Sequence, residues 1–226
     1  MSPKPRKTAV CIPYRPIDDE RVANFACVKE RWESFGFPVF HGDSDGDEDA
    51  MFSCSQARNR AVAQTDASVF IIADGDILLG SKEQAQTACR LALENDCYVV
   101  AFSELIVLDW EATRAVRAGA DPAEQEALES AGRIWGNCFA ISRTLFKRVG
   151  GFDERFIGYG HEDGAFLNAC STLGSKDRVE GVAYHLRHPA PDRSLISLEQ
   201  KTQLAIRYRD ADGDVEKMTT LIGERR

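Results

Sequence analysis

The 226-residue chain lacks any apolar run near the ~20 residues that cross a bilayer. Its first residues, Met1 to Lys7, are polar and basic, with no apolar signal segment. A soluble, cytoplasmic protein behind a disordered lead-in is the expectation. No long basic stretch is present and the formal charge is −8, which argues against nucleic acid and membrane surfaces as partners. No Cys-X-X-Cys pair occurs. The seven cysteines (11, 27, 54, 89, 97, 138, 170) are odd in number and scattered, mostly in apolar surroundings, so reduced thiols are expected rather than disulfides or a thiolate metal site. Internal repeats, low-complexity linkers and composition breaks are also missing, which leaves one domain.

What is present is a chain with 43% apolar residues, enough for a proper core. Thr8 to Ile12 reads as a strand, stopped by Pro13-Tyr14-Arg15-Pro16. Asp18 opens a helical pattern with an apolar stripe from Val22 to Trp32, and Gly36 closes it. A strand over Pro38–His41 runs into the acidic loop Gly42 to Asp49. That loop and Asp210–Asp214 lack the glycine and terminal glutamate of a calcium loop, so both read as solvated. Further helices are expected from Ser55 to Ala63 and from Ser81 to Asn95, the second with a Ser81/Gln84 capping box. Strands follow at Tyr98–Phe102 and Leu105–Leu108. Residues 110–133 read as helical, split by Pro122. Trp135–Ile141 reads as a strand, Thr144–Val149 as a short helix ended by Gly150-Gly151, and Glu162 to about Leu173 as a helix. A last strand spans Val179–Leu186, and an amphipathic helix starts near Ser197. Alternating β and α elements with few tight hairpins predict a mostly parallel α/β sheet.

The sharpest feature is Val69-Phe70-Ile71-Ile72-Ala73-Asp74-Gly75-Asp76, a buried strand running into two carboxylates. Strand alternation predicts that Asp74 and Asp76 leave on the same side, and Gly75 permits a turn or a close ligand. Two carboxylates at the end of a buried strand need positive charge, and a divalent metal supplies it. Ligands in open α/β sheets sit beyond the carboxyl ends of the strands. Asp74, Asp76, Arg15 and His185 all fall there, so they can converge on one rim. Carboxylates with an imidazole suit Mn²⁺ or Mg²⁺, which also bind phosphates. Arg15 and Arg58 can contact phosphate or serve as surface ion pairs. His185 and His188 bracket Leu186-Arg187 and are alternative ligands. Glu162-Asp163 is either favourable dipole chemistry at a helix N-terminus or a general base beside a substrate hydroxyl. Gly158-Tyr159-Gly160 has the make-up of a loop that closes over a sugar.

With these pieces in place, the sequence resembles the GT-A-fold nucleotide-sugar glycosyltransferases. Within them it is most similar to the group whose C-terminal segment is shared by β-1,4-galactosyltransferases and polypeptide N-acetylgalactosaminyltransferases, with family-2-like enzymes alongside. CIPYRP resembles the first strand and base-binding turn. SQARNRAVAQTDASVFIIADGDILL resembles the Arg-Asn helix, strand and DXD metal motif. WGNCFAISRTLFKRVGGFDERFIGYGHEDGAF resembles the acceptor-side segment, and VAYHLRHP the strand whose end supplies a metal-binding histidine.

The resemblance implies a single GT-A domain over 8–226, divided into a nucleotide-sugar and metal half (8–103), an acceptor half (104–193) and a C-terminal helical tail (194–226). It implies a UDP-sugar donor, Mn²⁺ or Mg²⁺, and a glycan or protein acceptor. Asp76 would be the direct metal ligand, with Asp74 toward ribose or metal. His185 would be the second protein ligand, with His188 in reserve. Pro13, Tyr14, Arg15 and Arg58 would serve the nucleotide and diphosphate. Asp163 would be the base and Glu162 its acceptor-binding neighbour, while Trp135, Gly136 and Tyr159 would line the sugar and acceptor sites. Two departures are visible. Tyr159 stands where the family usually has Trp or Phe, and Gly164 follows Asp163 where the galactosyltransferases carry a further acid. No stem or lectin domain is seen, which suits a bacterial or viral enzyme. A nucleotidyltransferase, a non-catalytic sugar-nucleotide or glycan-binding module, and a transferase acting on modified DNA bases are the competing readings. Sugar, acceptor and oligomeric state stay open.

Overall fold

The computed structural model describes residues 7–45, 51–132, 134–158, 160–190 and 198–225. Tyr159, the second half of the acidic loop, nearly all of the lead-in and the start of the tail at Ser197 lie outside them.

Strand β1 (Thr8–Pro13) leads to α1 (Asp19–Ser34), which Asp18 caps by accepting from Arg21 N–H. Next come β2 (Val39–Gly42) and α2 (Cys54–Ala63), capped by Ser53. The buried strand β3 (Val69–Ala73) follows, then the short β4 (Ile77–Leu79). Helix α3 (Lys82–Asn95) has Ser81 accepting from Gln84 N–H, while the Gln84 side chain donates to Ala101 O and Val182 O instead of returning to Ser81, so half of the expected capping box forms. Strands β5 (Cys97–Val100) and β6 (Glu104–Leu108) precede α4 (Trp110–Arg117). Then come β7 (Ala127–Ala131), β8 (Cys138–Ser142) and α5 (Arg143–Arg148). The chain continues through α6 (Glu162–Leu173), β9 (Ser175–Arg178) and β10 (Val182–His185), and ends with α7 (Leu198–Asp210) and α8 (Val215–Gly223).

Among the described residues these strands form two sheets. The larger has the order β2-β1-β3-β8-β5-β9, with only β8 antiparallel to its neighbours. The mostly parallel sheet of the sequence reading is therefore present. The second sheet, β4-β10-β6-β7, is mixed and was not anticipated. It corrects the helical reading of 110–133, because Ala127–Ala131 pairs with β6 and only Trp110–Arg117 and a 3₁₀ turn at Pro122–Glu124 are helical. A strand partner overrides the helix preference of an Ala- and Glu-rich stretch. Two expected strands are also shorter than read, at Cys138–Ser142 and Val182–His185, and the tail is two helices rather than one.

The core that positions the site is aromatic. Phe152 and Phe166 stack at 3.9 Å and Tyr98 and Phe139 at 4.3 Å, with Phe146 at their edge. Each such pair adds about 0.5–1.5 kcal/mol to ordinary burial. Gly150 and Gly151 deliver Phe152 into this cluster through consecutive left-handed conformations (φ +73° and +70°), which residues with a side chain rarely adopt. Asn59 locks the turn by accepting from Phe152 N–H (2.9 Å) and donating to Phe152 O (3.0 Å). The cluster thus holds Phe166 of α6, whose first turn carries Glu162 and Asp163, against Phe152, whose turn Asn59 ties to α2. No helix of the described residues is long and apolar enough to cross a membrane. The seven cysteines are all unpaired.

Candidate active site

Strand β3 ends at Ala73, and Asp74 to Ile77 form a turn in which Ile77 N–H donates to Asp74 O (3.3 Å). Strand alternation therefore stops before the two aspartates, and they engage different partners. The turn does not demand glycine either. Gly75 has no positive φ, and a Cβ there would meet Ile12 and Phe25 at an ordinary 3.6 Å.

Asp76 joins both histidines. Its Oδ2 lies 2.9 Å from His188 Nε2 and 3.9 Å from His185 Nε2. One ligand atom from each of the three residues falls within 4.8 Å of the others, the one group of this kind among the described residues. Sequence reasoning treated the histidines as alternatives, whereas the structure brings both in. Register explains His185, which pairs with Ile77, one residue from Asp76. Asp76 O then accepts from Leu186 N–H (2.8 Å), holding the following segment over the turn.

The proton arrangement fits a cation. His188 Nδ1 lies 2.8 Å from the Pro189 carbonyl and must carry a hydrogen, so its Nε2 is the atom facing Asp76. An imidazole lone pair and a carboxylate oxygen at that distance need a proton or a metal between them. Without a metal, the hydrogen bond to Asp76 raises the His188 pKa and outweighs burial. Burial raises the Asp76 pKa, but the His188 hydrogen bond and both histidine charges bring it below the ordinary value. Burial lowers the His185 pKa despite Asp76, favouring the neutral ring that ligates metals, and its Nδ1 is buried without a hydrogen-bond partner. A carboxylate, two imidazoles and an unsatisfied ring nitrogen suit a divalent ion.

Asp74 faces the other way in chemical terms. Its Oδ1 accepts from Arg58 Nη2 (2.8 Å) and its Oδ2 from Asn137 Nδ2 (3.2 Å), and it is absent from the three-residue group. Burial pushes its pKa up to about 7; Arg58 opposes this, while Asp163 and Asp76 reinforce it. Asn137 was not singled out in the sequence. The only signal was its place after Trp135-Gly136, where its left-handed backbone (φ +65°) suits asparagine.

Arg58 sits between the two halves of the site. The side chain is 2% exposed, lies over the Phe152 ring at 4.9 Å, and donates from Nη1 to Asp163 Oδ1 (2.6 Å) as well as to Asp74. It was expected at the nucleotide and diphosphate; its guanidinium is instead buried between two carboxylates, with Nε unsatisfied.

Asp163 presents its second oxygen to Gly136. A Cβ on Gly136 would lie 3.2 Å from Asp163 Oδ2, so glycine lets the carboxylate lie against that backbone. Glu162 is buried, and its Oε2 has no hydrogen-bond partner. Burial and the Asp163 charge raise its pKa against the pull of Arg58. Trp135 precedes Gly136 in the chain, its carbonyl accepting from the Tyr98 hydroxyl (2.6 Å). Its indole is met by Arg178 (4.5 Å) and Lys176 (5.1 Å).

The remaining expected residues lie past β1. Pro13 aligns with Gly42, and Tyr14 stacks on Phe25 at 3.8 Å. Arg15 donates to Asp43 Oδ1 (2.8 Å) and to Ser44, in the first half of the acidic loop. Asp74, Asp76, His185, His188, Arg58, Asp163, Glu162 and Gly136 are thus brought into one connected region, with Arg15 and Tyr14 on the adjoining strand ends.

A family model described as the N-terminal domain of galactosyltransferase matches residues 126–188, the stretch carrying Gly136, Glu162, Asp163, His185 and His188. A search of curated proteins by sequence gave no match. Among solved structures, the chain is similar to the catalytic domain of Drosophila β1,4-galactosyltransferase 7 complexed with xylobiose (TM-score 0.55, 14% identity, covering 89% of this chain and 79% of that one). It is similar to Mycobacterium tuberculosis glucosyl-3-phosphoglycerate synthase complexed with Mn²⁺, UDP-glucose and phosphoglyceric acid (0.55, 16%, 93% and 81%). It is also similar to S. aureus TarS complexed with UDP-GlcNAc (0.58, 14%, 97% and 71%). The chain has the GT-A fold of these glycosyltransferases.

Proposed function

We propose that the protein is a metal-dependent glycosyltransferase that moves a sugar from a UDP-sugar to an acceptor hydroxyl, with inversion at the anomeric carbon. The observation that carries this reading is the bridge Asp74–Arg58–Asp163. It ties the turn bearing the Asp76, His185 and His188 group to the carboxylate at the start of α6. The similar structures hold Mn²⁺ with UDP-glucose in one case and UDP-GlcNAc in another, which supports the donor class.

Asp76, His185 and His188 would hold the metal. When bound, a divalent cation neutralises a diphosphate and stabilises it as a leaving group. Tyr14 and Arg15, at the end of β1, would meet the nucleotide. Asp163 would take the proton of the acceptor hydroxyl as its oxygen attacks the anomeric carbon and the bond to UDP breaks. Arg58 fixes the direction of Asp163 through Oδ1 and leaves Oδ2 for that proton. The Oε2 of Glu162, buried without a hydrogen-bond partner, offers a hydrogen-bonding position to a second acceptor hydroxyl.

The test is proton NMR of the product formed from an α-linked UDP-sugar and Mn²⁺. A β-linked product supports the in-line assignment; an α-linked product removes it. Pyrophosphate release in place of UDP would favour the nucleotidyltransferase reading.

A further inference from the structure

The segment that follows β10 carries His188 without regular secondary structure, yet its backbone is tied down from helices outside the site. Arg187 N–H donates to Thr113 Oγ1 of α4 (2.9 Å), and Arg187 O accepts from Asn24 Nδ2 of α1 (3.0 Å). Asn24 and Thr113 are both fully buried, so these bonds form away from competing water. The Pro189 carbonyl accepts twice, from His188 Nδ1 (2.8 Å) and from Arg21 Nη2 of α1 (2.7 Å). Arg21 is itself anchored by the carboxylate of Asp18, the residue that caps α1.

This shared acceptor makes two orientations depend on each other. The Pro189 carbonyl aims the His188 ring through Nδ1, and Nε2 on the far side of the ring then faces Asp76. If only His188 held that carbonyl, ring and peptide could turn together without losing their bond. A second, charged donor on a helix removes that freedom. We infer that Arg21 is a positioning residue that sets the direction of His188 toward the metal through the Pro189 carbonyl. Asn24 and Thr113 fix the preceding peptide. The inference rests on the metal-site reading proposed above and adds a layer outside the ligands to it. Groups that orient a ligating imidazole commonly change metal affinity by about 10–100-fold when removed.

A purely structural role predicts something else. Asp18 Oδ1 caps α1 through the Arg21 backbone N–H, which alanine also supplies, so Arg21→Ala leaves the cap in place. The experiment measures Mn²⁺ affinity of the nucleotide-free protein by titration with EPR detection. It compares wild type, Arg21→Ala, Arg21→Lys, His188→Ala and the Arg21→Ala/His188→Ala double variant. Pulsed EPR counts the imidazole nitrogens coupled to bound Mn²⁺, and melting curves check folding.

Arg21→Ala should weaken Mn²⁺ binding about 10–100-fold and lose one nitrogen coupling. Arg21→Lys, which keeps a donor for the same carbonyl, should recover part of the affinity. In the His188→Ala background Arg21→Ala should change nothing further, because the pair acts as one unit. Unchanged affinity and nitrogen coupling in Arg21→Ala would overturn the inference. So would an undiminished effect of Arg21→Ala without His188, or an equal loss of metal-free UDP affinity, which would mark direct nucleotide contact. A folded wild type that binds no Mn²⁺ would remove the metal site itself. Binding by wild type with an unaffected Arg21→Ala removes only the role of Arg21.

Discussion

Replacing Arg58 is the most revealing perturbation of the site's architecture. Arg58→Met keeps a long apolar stem over Phe152 but deletes the charge and both hydrogen bonds, at 2.8 Å to Asp74 and 2.6 Å to Asp163. Removing the buried member of a charge network costs about 3–5 kcal/mol, here mainly through Asp74, which keeps only its bond from Asn137 in a largely desolvated place, since the Asp163 side chain is 38% exposed. For a chain of this size each kcal/mol shifts the melting temperature by about 2–4 °C, so the expected fall is roughly 6–20 °C. Arg58→Lys should fall less, since it keeps the charge but not the fork that reaches two carboxylates at once. The assay is thermal and urea unfolding. The same measurement on Arg58→Met combined with Asp74→Asn and Asp163→Asn separates electrostatics from packing. Neutralising both carboxylates should restore the larger part of the loss. A loss under about 1 kcal/mol in the single variant, or no recovery in the triple one, would refute the account of a buried bridge.

Other consequences follow from the same geometry. Asp163→Asn should reduce transfer by about 10²–10⁴-fold while metal-dependent UDP binding persists, read from initial rates and calorimetry; retained activity would remove the base assignment. Asp153 is buried against Arg155, Tyr208 and Arg225, and, although burial raises its pKa, those partners bring it below the usual aspartate value. Its contribution is therefore complete above ~pH 4 and lost as pH falls through the lowered folded pKa. Asp153→Asn should lose about 1–3 kcal/mol in urea unfolding near neutrality, with the gap closing in acid. Glu162 has the opposite sign. Burial raises its pKa, so its ionisation costs stability increasingly as pH climbs from the ordinary glutamate value through the raised one. Glu162→Gln should gain on wild type across that window and not below it; a constant offset at all pH values would contradict the assignment.

Much of this was legible in the chain itself, and the gaps have identifiable causes. The caps at Asp18 and Ser81 and the apolar β3 are local signals, and each formed the element it predicted. Residues 127–131 were misread because their strand is imposed by antiparallel pairing with β6, from which α4 and a 3₁₀ turn separate it, against their own composition. Strand β9, Ser-Lys-Asp-Arg, is an edge strand with no apolar alternation to betray it, and β4 is only three residues long. In the site, the residue types that converge were readable from spacing and resemblance. Their division of labour was not. Asp74 and Asp76 take different partners because the strand ends at Ala73, before either of them. Arg58 meets Asp163 across 105 residues of sequence, a contact that no local pattern encodes. The Arg-Asn pair of α2 also splits its duties, Arg58 to the carboxylates and Asn59 to the Phe152 turn.

The central claim is that Asp76 and the two histidines anchor a metal–diphosphate leaving group. Its most direct test is UDP release from a panel of UDP-sugars, run with Mn²⁺, with a chelator, and with Asp76→Ala in place of wild type. The account predicts release from at least one donor in Mn²⁺, lost with the chelator and lost in Asp76→Ala. Release that ignores both perturbations, or no release from any donor together with no metal-dependent UDP binding, would contradict it.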